Sequence, residues 1–264
     1  MEKNDIKANN KKMLNFLIKN DFKNKYAGSF LGVFWAFVQP VVIILLYWFV
    51  FQIAFGSGDE DGAPFVLWLM AGLVPWFFFS EAWMNATSSF IEYSYLVKKV
   101  VFDIKLLPFV KVASSLYVHV FFVFVMIVCY AAAGRFPGLI IIQLLYYSIC
   151  LFLLVLALSY FTSAIAVFFK DVTQIINILM TIGIWVTPIM WNITRINGKS
   201  VLQFILRLNP VYYVVQGYRD TLINHIWISD RWLSTIYFWI VVFLLSLLGS
   251  FVYKRLKPHF SDIL

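Results

Sequence analysis

Glu81 and His119 are the ionisable side chains whose setting asks for an explanation. Each lies inside an apolar run long enough to cross a membrane, where such groups are rare and tend to be functional. Glu81 falls about eight residues from one end of the run 65–89, and His119 about ten from the corresponding end of the run 109–133. At about 1.5 Å per helical residue the two depths differ by only about 3 Å, so the side chains can pair across neighbouring antiparallel helices. Such a pair can mark a polar path through the membrane. It can equally brace two helices, and that structural reading is the preferred one.

Little else in the chain has the spacing of a catalytic centre. No GxxxxGK[ST] phosphate loop occurs, so ATP is not bound by that route. His119, His225 and His259 are far apart, and no grouping of His, Cys, Asp and Glu has metal-ligand spacing. Cys129 and Cys150 both fall within apolar runs and fit packing better than a disulfide or a zinc site. These gaps favour a transport or channel role over a membrane-bound enzyme, with no metal and no cofactor expected in this chain.

Two further patterns bear on recognition. Residues 1–32 carry seven lysines, among them Lys19, Lys23 and Lys25, while Leu14, Ile18, Phe22 and Tyr26 recur every fourth residue. That spacing predicts an amphipathic helix lying in the membrane interface. The bland alternative is an orientation anchor and nothing more. Further on, Phe37, Tyr47 and Phe51 fall within roughly 80° of one another on a helical wheel. Such a stripe can face lipid, pack on another helix, or stack against the apolar faces of sugar rings.

The elements that must position these residues are membrane spans. The chain has 264 residues, is 62% hydrophobic and only 13% charged, well below the ~25% usual in soluble domains. Its apolar residues come in long unbroken runs, so it is read as one polytopic membrane domain over 1–264. Val33–Phe55 holds 23 uncharged residues, about 34 Å of helix. Pro40 should kink it, and Gln39 is expected to be buried and in need of a partner. No cleavable leader is expected, because this run begins late and is too long for one. Further spans are expected over about 65–89, 109–133, 139–169, 172–191 and 234–253.

Residues 192–231 resist that pattern. Val201, Leu202, Ile205 and Leu208 share a helical face, and Asn209-Pro210 then breaks the helix. A second apolar segment, 211–228, is interrupted by Gln216, Gly217, Arg219 and Asp220. Two short helices dipping into the outer leaflet fit better than a full span, since Lys254, Arg255 and Lys257 follow the last span. The expected fold is therefore all-α, with six spans, both termini cytoplasmic, an interfacial helix region over 1–32 and a cytoplasmic tail over 254–264. With that orientation, 15 of the 21 Lys and Arg residues lie inside and 6 outside. The net charge of +8 is explained by this asymmetry, and nucleic acid is not implied.

Several stretches resemble the permease subunits of ABC-2-type exporters of cell-surface polysaccharide, which handle teichoic acid, O-antigen and capsule. They are Lys25-Tyr26-Ala27-Gly28-Ser29-Phe30-Leu31-Gly32 with Trp35 and Pro40; Tyr95-Leu96-Val97-Lys98-Lys99-Val100 with Phe102 and Leu107-Pro108; Phe169-Lys170-Asp171-Val172; Thr187-Pro188-Ile189; Asn209-Pro210 with Tyr212-Tyr213; and the tail Leu256-Lys257-Pro258-His259. Asp103 stands where many members of the family have Pro. The matches run in order along nearly the whole chain, and together they are specific.

The resemblance implies a homodimeric permease in the bacterial cytoplasmic membrane, bound to two separate ATPase subunits that hold ATP and Mg. It implies a cargo carried on undecaprenyl pyrophosphate and passed between the protomers near span 1, span 5 and the short external helices. It places Lys98, Lys99 and Phe102 in a coupling and gating region, and Lys170 and Asp171 at a second ATPase contact. The carrier's head group needs cations at the inner leaflet, a role for Lys19, Lys23 and Lys25 beside Tyr26. Phe37, Tyr47 and Phe51, with Trp185 and Trp191, gain weight as a sugar-stacking path. The competing expectations are an ABC-2 exporter of a drug or small lipid and, from another class, a channel or scaffold without an ATPase.

Overall fold

A computed structural model describes residues 2–28, 30–97, 103–196 and 200–263. Its elements are α1 (Glu2–Lys25), α2 (Trp35–Trp48), α3 (Phe65–Thr87), α4 (Ser89–Glu92), α5 (Ser94–Val97), α6 (Leu106–Ala132), α7 (Gln143–Ala166), α8 (Asp171–Val186), α9 (Ser200–Arg207), α10 (Pro210–Arg219), α11 (Trp232–Leu256) and α12 (Phe260–Ile263). Short turns extend some of them. A π turn, Phe49–Ala54, prolongs α2, and another, Asp220–Asn224, prolongs α10. Among the described residues, five helical stretches are long and apolar enough to cross a membrane: Gly32–Ala54, Phe65–Thr87, Leu106–Ala132, Gly138–Ala166 and Ile228–His259. The apolar helix α8 is shorter, at 16 residues.

α3 is the axis of the bundle. It packs against α2, α6, α7, α8 and α10, and 78% of its most apolar window is buried, against 17% for the stretches containing α2 and α11. A helix apolar on all sides must be enclosed or must face lipid. α3 is enclosed because it combines large side chains (Trp68, Trp76, Phe78, Phe79) with small ones (Ala71, Gly72, Ala82, Ala86) that let neighbours approach. Several polar groups inside the bundle find partners across helices. Trp83 on α3 donates its indole N–H to Thr162 Oγ1 on α7 at 3.2 Å, and Thr87 and Thr162 share a hydroxyl contact of 2.8 Å.

The two ends of the bundle are built differently. The end bearing α1 carries α4, α5, the α7–α8 turn and α12, where Phe90, Tyr253 and Phe260 form a separate small core. The far end is closed by the segment after α8. Thr187-Pro188 stops that helix and leaves carbonyls without helical donors. Arg219 of α10 holds the chain just beyond the helix, donating to the Pro188 carbonyl at 2.8 Å and the Ile189 carbonyl at 2.6 Å. Its guanidinium lies 3.5 Å from the centre of the Trp68 ring and is 2% exposed. Gly72 makes the room: a Cβ there would come within 3.0 Å of Arg219 Nη2.

The two short helices between α8 and α11 form as the Asn209-Pro210 break predicts. Asn209 caps α10, its Oδ1 accepting from the Val211 N–H at 2.9 Å, and Pro210 occupies the first helical position, where its missing N–H costs nothing. α10 is buried along nearly its whole length, whereas the apolar face of α9 is exposed. One expectation on α2 is corrected. Pro40 is buried, but Gln39 is exposed and points out of the bundle.

Candidate functional site

The site begins where α1 ends. Leu14, Ile18, Phe22 and Tyr26 are half-buried against the bundle, with Phe22 5.2 Å from Tyr117 of α6 and 5.7 Å from Tyr26. Lys19 and Lys23 are exposed on the other side. Lys25 turns back and forms an ion pair with Glu81 of α3, its ammonium 5.5 Å from the Tyr26 ring. The intramembrane acid therefore meets the basic segment, and not His119.

His119 faces another layer. It shares a hydrogen bond of 3.1 Å with the Tyr218 hydroxyl and one of 3.2 Å with Ser148 Oγ, and its ring lies 4.7 Å from that of Phe78. The expected Glu81–His119 pair is thus replaced by two separate contacts, for a geometric reason. α6 starts at Leu106 and α3 stops at Thr87, so His119 lies 13 residues along its helix and Glu81 6 from its end. That difference is about 10 Å in depth, too far for a direct contact.

Beside Lys25 lies a denser polar cluster. Asp21 of α1, 5% exposed, receives Lys111 Nζ of α6 at 2.8 Å, the Tyr93 hydroxyl at 2.7 Å and Ser114 Oγ at 2.5 Å. Lys111 Nζ also reaches Glu92 Oε2 at 2.5 Å. Burial, and then the bond to Asp21, push the Tyr93 phenol well above its ordinary pKa, so it remains a proton donor. The cluster ties α1, α4 and α6 into one unit, and a cavity of about 360 Å³ opens between Asn24, Lys25, Asn85 and Tyr95.

Sequence reasoning passed over Asp21, Glu92 and Lys111. The available signal was Asp21 itself, which lies four residues after buried Leu17 on the inward side of an otherwise basic helix. Lys98, Lys99 and Phe102 lie outside the described residues. Lys170 and Asp171 are exposed at the start of α8, where the Asp171 carboxylate suits the positive end of the helix dipole.

The aromatic residues of α2 divide. Phe37 packs on Phe121 of α6 at 4.4 Å between ring centres and belongs to that contact. Tyr47 lies 6.4 Å from both Phe51 and Trp185 of α8, and Phe51 lies 6.1 Å from Phe65. Trp191 donates its indole N–H to the Trp185 carbonyl at 2.9 Å. Tyr47, Phe51, Trp185 and Trp191 are therefore brought together toward the far end, and Phe37 is not.

α8 adds a feature that the wheel of α2 could not show. Gln174, Asn177, Thr181 and Trp185 are all exposed and follow one another at spacings of three and four residues, a single face of the helix. Amide and hydroxyl groups are costly against hydrocarbon, so such a face belongs to a water-filled path or a protein partner. By contrast the outward side of α11 presents Ile236, Ile240, Phe243, Leu244, Leu247 and Phe251, which suit lipid. The spacing of Gln174, Asn177 and Thr181 was visible in the sequence within an otherwise apolar run.

A helical bundle in which five of the described helical stretches are long and apolar enough to cross a membrane, with one polar helix face among apolar ones, defines a multi-pass membrane protein. The comparisons give its family. The sequence pattern of ABC-2 type transporters matches residues 13–223, and the chain belongs to that family. It is 29% identical over 217 residues to the O-antigen export system permease protein RfbA of Myxococcus xanthus, covering 79% of each chain. It is 24% identical over 253 residues to a protein of the same name from Klebsiella pneumoniae, covering 96% of this chain and 95% of that one.

Proposed function

We propose that this chain is the membrane-spanning subunit of an ATP-driven exporter that moves undecaprenyl-pyrophosphate-linked surface polysaccharide, such as O-antigen, across the bacterial cytoplasmic membrane. It works as a homodimer with two separate ATPase subunits, which hold ATP and Mg. Both termini are cytoplasmic, and α8, continued by Thr187–Trp191, is the fifth of six crossings. At 16 residues α8 spans only about 24 Å of a core of about 30 Å, and the continuation supplies the rest.

The observation that carries this reading is the face of α8 on which Gln174, Asn177 and Thr181 lead to Trp185, beside Tyr47 of α2. Hydroxyl-rich rings need amide and hydroxyl partners and offer apolar faces to aromatics, and this surface has both. The names of the relatives support the same cargo. At the α1 end, Lys19, Lys23 and Lys25 meet the carrier's head group at the membrane interface, with Tyr26 beside them. Glu81 holds Lys25 until the phosphate competes for it. The exposed Lys170 and Asp171 serve as an ATPase contact.

The test is export of the lipid-linked polymer in proteoliposomes containing the permease and its ATPase. Lys23→Ala with Lys25→Ala should lower export at least tenfold while membrane insertion and dimerisation stay as in the parent. Unchanged export would sink the head-group role. Export of a small amphiphile, with no movement of the polymer in the parent protein, would replace the cargo assignment altogether.

A further inference from the structure

The far end holds a cavity of about 660 Å³ between the Asn192–Thr194 turn, α9, α10 and the start of α11. That volume is in the range of small-ligand pockets, ~300–1,000 Å³. Four charged side chains line it, two of each sign: Arg207 and Arg231, Asp61 and Asp220. What they leave unpaired decides what the cavity can hold.

Arg231 and Asp220 satisfy each other. Arg231 donates from Nε to Asp220 Oδ2 at 2.9 Å and from Nη2 to Oδ1 at 3.2 Å. Oδ1 also accepts from Gln216 Nε2 and Asn224 Nδ2, both at 2.9 Å, and Asp220 is 2% exposed. Arg207 and Asp61 differ from that pair. Both are exposed, and neither forms an ion pair among the described residues. Asp61 is fixed by neutral donors, Trp68 Nε1 at 2.9 Å and Asn192 Nδ2 at 3.0 Å. Arg219 stacks on the same Trp68 but directs its two terminal nitrogens to the Pro188 and Ile189 carbonyls. The cavity therefore presents one unpaired cation and one unpaired anion, on different elements.

Its apolar lining runs onto the lipid-facing surface. Leu233, 65% exposed, begins the helical stripe that continues through Ile236 and Ile240 on the outward side of α11. Leu208 continues the exposed apolar face of α9. Tyr237 joins the two walls, donating its hydroxyl to the Leu208 carbonyl at 2.7 Å. Trp227 and Trp232 stand exposed at the start of α11, and such rings mark the boundary between hydrocarbon and water. The cavity thus opens at the level of lipid head groups.

Charge and depth together select the ligand. An anionic head group would meet Arg207 but bring its charge beside Asp61 and Asp220, and a simple cation would do the reverse. A zwitterion satisfies both unpaired groups through charge-assisted hydrogen bonds. A soluble zwitterion would make no use of Leu208 and Leu233, whereas an acyl chain covers them.

We infer that this cavity binds the head group of a zwitterionic glycerophospholipid from the leaflet at the far end. The phosphate meets Arg207, the ammonium meets Asp61, and an acyl chain lies along Leu233 and α9. The inference rests on neither the cargo nor the orientation proposed above. The full chain in maltoside micelles is titrated with phosphatidylethanolamine or phosphatidylglycerol, and bound lipid is counted by native mass spectrometry. The parent should bind phosphatidylethanolamine roughly tenfold more tightly or better. Arg207→Gln, at an exposed position without an ion pair, should weaken that binding by about tenfold. Leu233→Asn should weaken it by about threefold or more, and Leu247→Ala, farther along α11, should leave it unchanged. Equal affinity of the parent for the two lipids overturns the site, as does unweakened binding in Arg207→Gln and Leu233→Asn. Glycerophosphoethanolamine, the same head group without acyl chains, should not compete. If it displaces the lipid, the cavity belongs to a soluble zwitterion and the lipid assignment falls. Export of the polymer is read separately in proteoliposomes, so either assignment can fail while the other stands.

Discussion

Lys111 sits between two carboxylates, and its removal separates burial from charge. Its side chain is 11% exposed and that of Asp21 5%, so neither can recover its lost partner from water. Breaking a buried pair by deleting one member costs about 3–5 kcal/mol, because the remaining charge stays desolvated. Lys111→Met should therefore destabilise the protein by about 3 kcal/mol, read by denaturant unfolding in detergent micelles. Adding Asp21→Asn should recover most of that loss, since the amide oxygen still accepts from the Tyr93 hydroxyl while its NH2 donates to Ser114 Oγ, whose own proton turns to the residue-111 carbonyl. A double variant no more stable than Lys111→Met would show that the cluster is not held by charge. The Lys25–Glu81 pair behaves differently. Its side chains are 29% and 28% exposed, and pairs of that kind contribute ~1 kcal/mol or less. Its importance lies in which anion Lys25 holds, and unfolding will barely register it. None of these partners could be assigned from the chain alone: Glu81 and Lys25 are 56 positions apart, and only the docking of α1 onto α6 brings them together.

At the scale of the helix, the period of the apolar pattern located the elements well but not the contacts between them. Five of the six expected spans coincide with long apolar helical stretches, most of them within a few residues. The first continues into a π turn, and the fifth ends early at Thr187-Pro188. The short pair at the far end was legible because Asn209-Pro210 is a start signal with a mechanism. Boundaries near the α1 end were less legible, and a shift of two or three residues on each of α3 and α6 was enough to misplace the partners of Glu81 and His119. The enclosure of α3 also escaped a linear reading, since its composition resembles that of lipid-facing α11. What distinguishes the helices is how closely neighbours approach, which depends on small residues at the crossing. Gly217 is the sharpest instance. A Cβ there would collide with the Tyr147 ring, so α10 lies on α7 only because the side chain is absent. Gly217→Ala should cost about 1–3 kcal/mol through overpacking. Trimming the opposing ring with Tyr147→Leu should restore part of the loss, measured by the same unfolding assay. Equal stabilities for Gly217→Ala and the parent would mean that the α7–α10 crossing relaxes freely.

For the whole molecule, the outward side of α11 and the side formed by α2 and α8 differ in chemistry. Among the described residues, α11 exposes mainly aliphatic and aromatic groups along its outward length, which hydrocarbon solvates well. The side formed by α2 and α8 carries Gln39, Gln174, Asn177 and Thr181 among its exposed groups. In a bilayer the Gln39, Gln174 and Asn177 amides would lack partners if they met lipid, whereas the Thr181 hydroxyl donates to the Asn177 carbonyl at 3.0 Å, so the amides call for water or protein on this side. A homodimer apposing the α2–α8 sides satisfies both demands. It screens the polar stripe from lipid, and it encloses a path between protomers wider than one bundle provides. The opposite arrangement, with α11 at the two-fold axis, would leave that stripe in contact with acyl chains. The two arrangements are separated by cross-linking in membranes, with Cys129 and Cys150 replaced by alanine. A single Thr181→Cys should link two copies through a short bismaleimide, and Leu247→Cys should not. Linking through Leu247 alone would place α11 at the axis and turn the α8 face outward, and the path would then have to be sought elsewhere in the assembly.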